Sequence, residues 1–80
     1  MRLDKYLKVS RLMKRRTIAN EACDAGRVSV NGKPARASYE VKIGDEIEIA
    51  FGQRNMKVKV AAITEYVTKE SAADLYTIVP

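Results

Sequence analysis

The chain has 80 residues and a formal net charge of +5, and 46% of its residues are hydrophobic. This length allows one small hydrophobic core and excludes a second, so we expect a single domain over residues 1–80. The sequence has no histidine and one cysteine, which excludes an intramolecular disulfide, a histidine-based catalytic pair and the usual zinc-ligand sets. No signal-peptide pattern or membrane-length apolar run is present, so we expect a cytoplasmic protein. Because no catalytic or metal-ligand constellation is visible, we also expect a non-catalytic protein without a metal or cofactor.

The charge is divided unevenly along the chain. Residues 1–36 contain ten Lys and Arg against three Asp and Glu, which gives this part a net charge of +7. Residues 37–80 contain five against seven, which gives a net charge of −2. Because a charge that served only solubility would be spread more evenly, the first part is predicted to face a polyanion.

Two short helices are predicted at the start of the chain. In "RLDKYLKVS", Leu3, Tyr6 and Leu7 follow the i, i+3, i+4 spacing of one buried stripe. The second helix is predicted from Arg16 to Ala25, and Gly26 provides the left-handed residue after its end. The apolar face of this second helix is expected to consist mostly of small residues, namely Ile18, Ala22 and Ala25, flanked by Ala19 and Cys23.

Three consecutive cations, Lys14, Arg15 and Arg16, stand where the second helix begins. A helix N-terminus carries partial positive charge and unpaired N–H groups, so acidic residues are usual at that end. A phosphate group would supply the missing negative charge and accept hydrogen bonds from the free N–H groups. The pattern therefore predicts that an anionic ligand, and nucleic acid in particular, binds here.

The periodicity changes to two in "RVSVNGKPAR", which predicts a hairpin. Asn31 and Gly32 form its type I′ turn, and Pro34 marks the return strand as a sheet edge. In this register Arg27 lies opposite Arg36, a repulsive pair that a bound phosphate would screen.

A second hairpin follows in "EIEIAFGQRNMKVKV", where apolar and charged residues alternate on both strands. A four-residue loop over 52–55 would pair Phe51 with Met56, and the same register would set Glu48 opposite Lys59. The chain ends in "TKESAADLYTIV", which predicts a brief helix capped by Thr68 or Ser71 and running through Leu75, and then a last strand or a packed tail.

The charge pattern alone fits DNA, RNA or an anionic membrane. The apolar residues of the first helix are needed for the core, which argues against membrane binding. Beyond its first turn the second helix offers Asn20, Glu21 and Asp24, and two acids there would be repelled by a DNA groove. Contact through helix ends and a hairpin favours structured RNA.

The segments "RLDKYL", "KRRTIA", "GRVSVNGKPAR" and "VKIGDEI" together resemble the S4-type RNA-binding domain, over residues 1 to about 50. The later "VKVAAITE" and "AADLY" extend the similarity to the heat-shock S4-domain proteins and their short relatives of the RqcP type. The resemblance implies an α+β fold with two short helices packed on a small antiparallel sheet. Residues 51–80 would complete the strands and add a short helix or tail.

The resemblance also implies a function. Members of this family bind large ribosomal subunits that still hold peptidyl-tRNA after a stall, and contact ribosomal RNA and tRNA. They assist a partner of the RqcH/NEMF type while alanine tails are added to the nascent chain, and a monomer is expected. Two other readings stay open: an S4-type accessory domain or fragment of an RNA-modifying enzyme, and a protein–protein module that uses the glutamates of the outer sheet face.

The candidate RNA-binding residues combine the cations of residues 1–36 with the positions that match the family motif. Asp4 is included because it can pair with an arginine across the two helices and hold the guanidinium toward the ligand. Arg15 departs from the family pattern, which often has Ser or Thr at the helix start. The full set is Arg2, Asp4, Lys5, Lys8, Arg11, Lys14, Arg15, Arg16, Thr17, Arg27, Asn31, Lys33 and Arg36.

Overall fold

The computed structural model describes residues 1–64, 68 and 70–79. It confirms the α+β prediction: two helices pack on one antiparallel sheet with the strand order β2-β1-β3-β4-β5. The elements are α1 (Leu3–Val9), α2 (Arg16–Asp24), β1 (Val28–Val30), β2 (Lys33–Pro34), β3 (Glu46–Phe51), β4 (Arg54–Val60), a 3₁₀ helix (Ala72–Leu75) and β5 (Tyr76–Ile78).

Helix α1 is fixed to the rest of the chain at its N-terminus and through its buried face. The N–H groups of Leu3 and Asp4 donate to the carbonyls of Tyr39 (2.8 Å) and Ala37 (3.2 Å). The segment 37–41 thus satisfies donors that a helix N-terminus otherwise leaves unpaired. On the buried face, the Tyr6 hydroxyl donates to the Leu75 carbonyl at 2.7 Å and connects α1 to the 3₁₀ helix.

Helix α2 buries only part of the face predicted for it. Ile18 is 47% exposed and Ala25 is also exposed, whereas Ala19, Ala22 and Cys23 lie in the core. The buried set still has the i, i+3, i+4 spacing, but it is rotated relative to the predicted stripe. Arg16 and Asn20 lie on the same side of the helix as Ala19 and Cys23, and both donate to Asp4 of α1.

The first hairpin has the predicted register, with Val30 opposite Lys33 and Ser29 opposite Pro34. A single further bond, from the Ala35 N–H to the Val28 carbonyl, follows these pairs. The strands therefore end before Arg27 and Arg36, which lie outside them.

The predicted register of the second hairpin is wrong by two residues. Phe51 pairs with Arg54, Ile49 with Met56 and Glu48 with Lys57, so the loop is only Gly52-Gln53. Gly52 has a φ of +59°, which suits a tight turn and removes the need for the longer loop. A slip of two residues leaves every side chain on its predicted face, since the period of a strand is two.

The C-terminal prediction is confirmed in its main features within the residues described there. The brief helix is the 3₁₀ turn before β5, and Thr68 precedes it with Oγ1 accepting from the Ser71 N–H at 3.2 Å. Within "YTIV", Tyr76–Ile78 form strand β5, which pairs with β4 through Val58 opposite Ile78. The predicted helix crosses residue 69, which lies outside the described residues.

Candidate nucleic-acid interface

Asp4 is the centre of a polar cluster between the two helices. Its side chain is 3% exposed, and its carboxylate accepts from Arg2 Nε at 3.2 Å and from Arg16 Nε at 3.3 Å. The Lys5 backbone N–H donates to the same carboxylate at 2.8 Å, and Asn20 Nδ2 donates at 3.4 Å. The expected pairing of Asp4 with an arginine across the helices is therefore present, and it includes a second arginine.

The cluster holds the Asp4 carboxyl in its charged form. Burial alone would raise its pKa, but the hydrogen bonds from Arg16, Asn20 and the Lys5 N–H outweigh burial, and the pKa is lowered from 3.8. Asp4 thus supplies part of the negative charge that the start of α2 lacks in the sequence. It is buried, so it positions the arginines and does not itself offer a surface to a ligand.

The cations beside this cluster stay accessible. The Arg2 and Arg16 side chains are 46% and 47% exposed although both contact Asp4. Lys14 and Arg15 are exposed, and neither forms an ion pair with any of residues 1–64, 68 or 70–79. Arg15 is the N-cap residue of α2 and makes no side-chain capping bond. The start of α2 thus presents partly oriented guanidinium groups and uncompensated positive charge.

Arg36 lies with Arg2 beside the C-terminal half of α2. The two arginines line an open groove of about 470 Å³ together with Asn20, Cys23 and the exposed Asp24, so the groove carries one acidic side chain as well. Sequence reasoning placed Arg2 and Arg36 in the candidate set but did not include Asn20. The signal was available, because Arg16 and Asn20 are i, i+4 neighbours on one helix and share a face.

Asn31 has a structural role at the hairpin tip. Its backbone is left-handed, with a φ of 53°, and its Oδ1 accepts from the Glu46 N–H at 3.0 Å. Its Nδ2 donates to Asp45 at 3.1 Å, and Asp45 also accepts from the Tyr39 hydroxyl at 2.9 Å and the Lys42 N–H at 2.9 Å. Burial would raise the Asp45 pKa, but these three hydrogen bonds bring it below 3.8. A direct contact of Asn31 with RNA stays a prediction.

Several candidate residues lie away from the Asp4 cluster. Lys8 is exposed near the C-terminal end of α1, and Arg11 follows that end with a left-handed φ of 62°, a position that usually favours glycine or asparagine. Thr17 is exposed in the first turn of α2, while Lys5 is half-buried on α1. Exposed candidates nearer the sheet are Arg27, before β1, and Lys33, at the start of β2.

The outer face of the sheet carries mixed charge. Glu46 and Glu48 alternate there with Lys57 and Lys59 across the β3–β4 ladder. The Glu46 carboxylate lies 4.0 Å from the Lys57 ammonium. The glutamates on which the protein–protein reading rested are therefore matched by neighbouring lysines, and the face is not an acidic surface.

Cys23 lies in the core, with 5% exposure, and burial raises the pKa of its thiol to about 11. It is therefore a neutral apolar side chain at physiological pH. Among the residues the structure describes, no three His, Cys, Asp or Glu side chains come together in a way that could hold a metal ion. In the same part of the chain, no helix is long and apolar enough to cross a membrane.

The profile of the S4 domain family matches residues 1–47, which contain both helices, the first hairpin and the Asp4 cluster. The chain belongs to the S4 domain family. This S4-domain protein is 55% identical over 78 residues to the RQC P-site tRNA stabilizing factor of Bacillus subtilis, covering 98% of this chain and 91% of that relative. The protein of the same name from Streptococcus pneumoniae is 51% identical, with 99% and 90% covered. Both relatives are named for RQC, that is, ribosome-associated quality control.

Solved structures of similar proteins agree with the fold. Heat shock protein 15 of Vibrio cholerae, described as a trimer, superimposes with a TM-score of 0.91 at 30% identity. The match covers 99% of this S4-domain protein and 81% of that chain. The predicted resemblance to heat-shock S4-domain proteins is therefore confirmed in sequence and in structure.

Proposed function

We propose that this S4-domain protein is a non-catalytic, cytoplasmic factor that binds ribosomal RNA and tRNA on stalled, dissociated large ribosomal subunits. It acts as a monomer on subunits that hold peptidyl-tRNA and assists a partner of the RqcH/NEMF type during C-terminal alanine tailing of the nascent chain. The observation that carries the proposal is the 55% identity, over 98% of the chain, to a factor named for stabilising P-site tRNA in RQC.

The Asp4 cluster supports the RNA-binding part of the proposal. Asp4 orients two half-exposed guanidinium groups, Arg2 and Arg16, through contacts of 3.2 and 3.3 Å. A guanidinium that is already oriented loses less conformational entropy when it binds a phosphate, and its planar donors match the phosphate oxygens. The surrounding cations add the long-range attraction that RNA binding requires.

The experiment is a pelleting assay with purified protein and purified large ribosomal subunits that either hold peptidyl-tRNA or lack it. We expect more protein to pellet with the loaded subunits, and Arg16→Ala to weaken this binding about 10-fold or more because it removes a charge-assisted contact. Lys59→Ala is the matched control, since it removes one exposed cation from the outer sheet face. Equal pelleting with loaded and empty subunits would refute the tRNA-dependent role, and no pelleting with either would refute ribosome binding.

A further inference from the structure

A second groove lies between the β1–β2 hairpin and the segment 36–39, beyond the Asp4 cluster. It is an open groove of about 610 Å³. Aliphatic surface from Val30, Pro34 and Ala35 lines it, together with Tyr39. A groove with these walls suits a flat, partly apolar group better than it suits a lone phosphate.

Tyr39 is held in place from three sides. Its N–H donates to the Arg36 carbonyl at 3.0 Å, and its carbonyl accepts from the Leu3 N–H at 2.8 Å. Its hydroxyl donates to Asp45 at 2.9 Å. Tyr39 is half-buried, the hydroxyl bond to Asp45 holds the outer end of its ring, and the residue contributes to the groove wall. An aromatic ring fixed in this way offers a stacking surface at low entropic cost.

Two cations complete the groove. Lys33 and Arg36 both line it, both are exposed, and within the described ranges neither is engaged in an ion pair. They offer charge to the phosphates on either side of a base that occupies the groove. The combination of an aromatic wall and flanking cations is the one by which proteins hold unpaired nucleotides.

We propose that this groove binds one unstacked base of an RNA ligand, which stacks on Tyr39 while the adjacent phosphates contact Lys33 and Arg36. The inference rests on the proposed RNA-binding function and names a specificity site within it. Arg36 and Ser38 line both this groove and the one beside Arg2, so a single RNA strand reaches from the Asp4 cluster to the hairpin. The site selects RNA that carries an unpaired nucleotide.

The test compares two RNA hairpins that differ only in one bulged nucleotide, the fluorescent adenine analogue aminopurine. For each protein variant, the Kd for the hairpin without the bulge is divided by the Kd for the bulged hairpin. Because both values come from the same preparation, any loss of folded protein cancels in the ratio. Wild-type protein should prefer the bulged hairpin about 5-fold or more, the effect of one stacked base, and should quench the aminopurine fluorescence.

Variants of the groove and a distant control separate the outcomes. Tyr39→Leu, and separately Ala35→Leu, which fills the groove, should each bring the ratio close to one. Tyr39→Phe keeps the ring but loses the hydroxyl bond to Asp45, so it should keep a preference for the bulged hairpin that is weaker than that of wild type. Phe51→Leu removes another exposed ring, on β3, and should keep the wild-type ratio. A wild-type ratio of one, or an unchanged ratio in Tyr39→Leu, would overturn the base site even where both hairpins bind tightly. Failure of the wild-type protein to bind either hairpin would overturn the proposed RNA-binding function as well.

Discussion

Replacement of Asp4 by asparagine separates an organised arginine site from simple charge attraction. The substitution raises the net charge from +5 to +6, so charge counting predicts tighter RNA binding. The asparagine carbonyl can still accept from the Lys5 N–H, but it no longer attracts the guanidinium groups of Arg2 and Arg16. If Asp4 prepares these arginines for phosphate, RNA binding should weaken although a negative charge has been removed.

The magnitude follows from two opposing contributions. Immobilising a long side chain on binding costs about 0.5–1.5 kcal/mol, so two disordered arginines cost about 1–3 kcal/mol. Removing a negative charge roughly 6 Å from a phosphate returns about 0.7 kcal/mol in water. The balance disfavours binding by about 0.3–2.3 kcal/mol, and its middle value of about 1.3 kcal/mol corresponds to a roughly 10-fold higher Kd.

The assay is a titration of labelled structured RNA at low salt, at a temperature where circular dichroism shows that every variant is folded. Glu21→Gln is the matched control, because it makes the same change in charge at an exposed position of α2. We expect Glu21→Gln to bind as wild type or slightly more tightly. If Asp4→Asn binds RNA at least as tightly as Glu21→Gln, charge counting governs the surface and the organised site does not exist.

Three further predictions concern the surface, one strained residue and the response to acid. Four to seven phosphate contacts should make the logarithm of RNA affinity fall with the logarithm of salt concentration with a slope of about −3 to −6. An affinity that does not change with salt would contradict this prediction. So would a double variant Lys57→Ala/Lys59→Ala that loses as much RNA affinity as Arg15→Ala/Arg16→Ala. Arg11→Gly should raise the unfolding free energy in urea melts by about 0.5–1 kcal/mol, because glycine adopts the left-handed backbone of this position without strain. The same variant should lower RNA affinity about 3-fold, because it removes a cation, and an unchanged affinity would place Arg11 outside the interface. The folded-state pKa of Asp45 lies below 3.8, so its charged carboxylate stabilises the fold. This contribution is complete above the unfolded-state pKa and is lost as pH falls through the folded-state pKa. Asp45→Asn should therefore lose less stability than wild type between about pH 5 and pH 2 in urea melts, and parallel losses would refute the Asp45 network.

The sequence predicted the elements well because their signals are local. Apolar spacing, Gly26 and the Asn31-Gly32 turn located both helices and the first hairpin. The second hairpin was assigned the wrong register because a two-residue slip keeps each side chain on its face, so the alternation pattern cannot detect it. The choice between loop lengths depended on Gly52, whose left-handed backbone permits a two-residue loop.

Only part of the candidate site could be predicted from the sequence, because several of its contacts form only when distant segments pack together. The pairing of Asp4 with Arg16 could be proposed because it joins two recognised motif positions. The rotation of α2, which exposes Ile18, depends on tertiary contacts that no helical period encodes. The Tyr39–Asp45 bond joins a loop residue to a strand entry, and the groove beside it exists only once the hairpin and the segment 36–39 are packed together.

Sedimentation of a stalled-translation lysate tests the central claim most directly. Tagged protein is followed across a sucrose gradient, with wild type compared with Arg16→Ala and with Lys59→Ala. We predict that wild type and Lys59→Ala travel with large ribosomal subunits that hold peptidyl-tRNA, and that Arg16→Ala shifts to the top of the gradient. Wild-type protein that stays at the top, or travels equally with small subunits, would contradict the account, as would Arg16→Ala that remains with the large subunit.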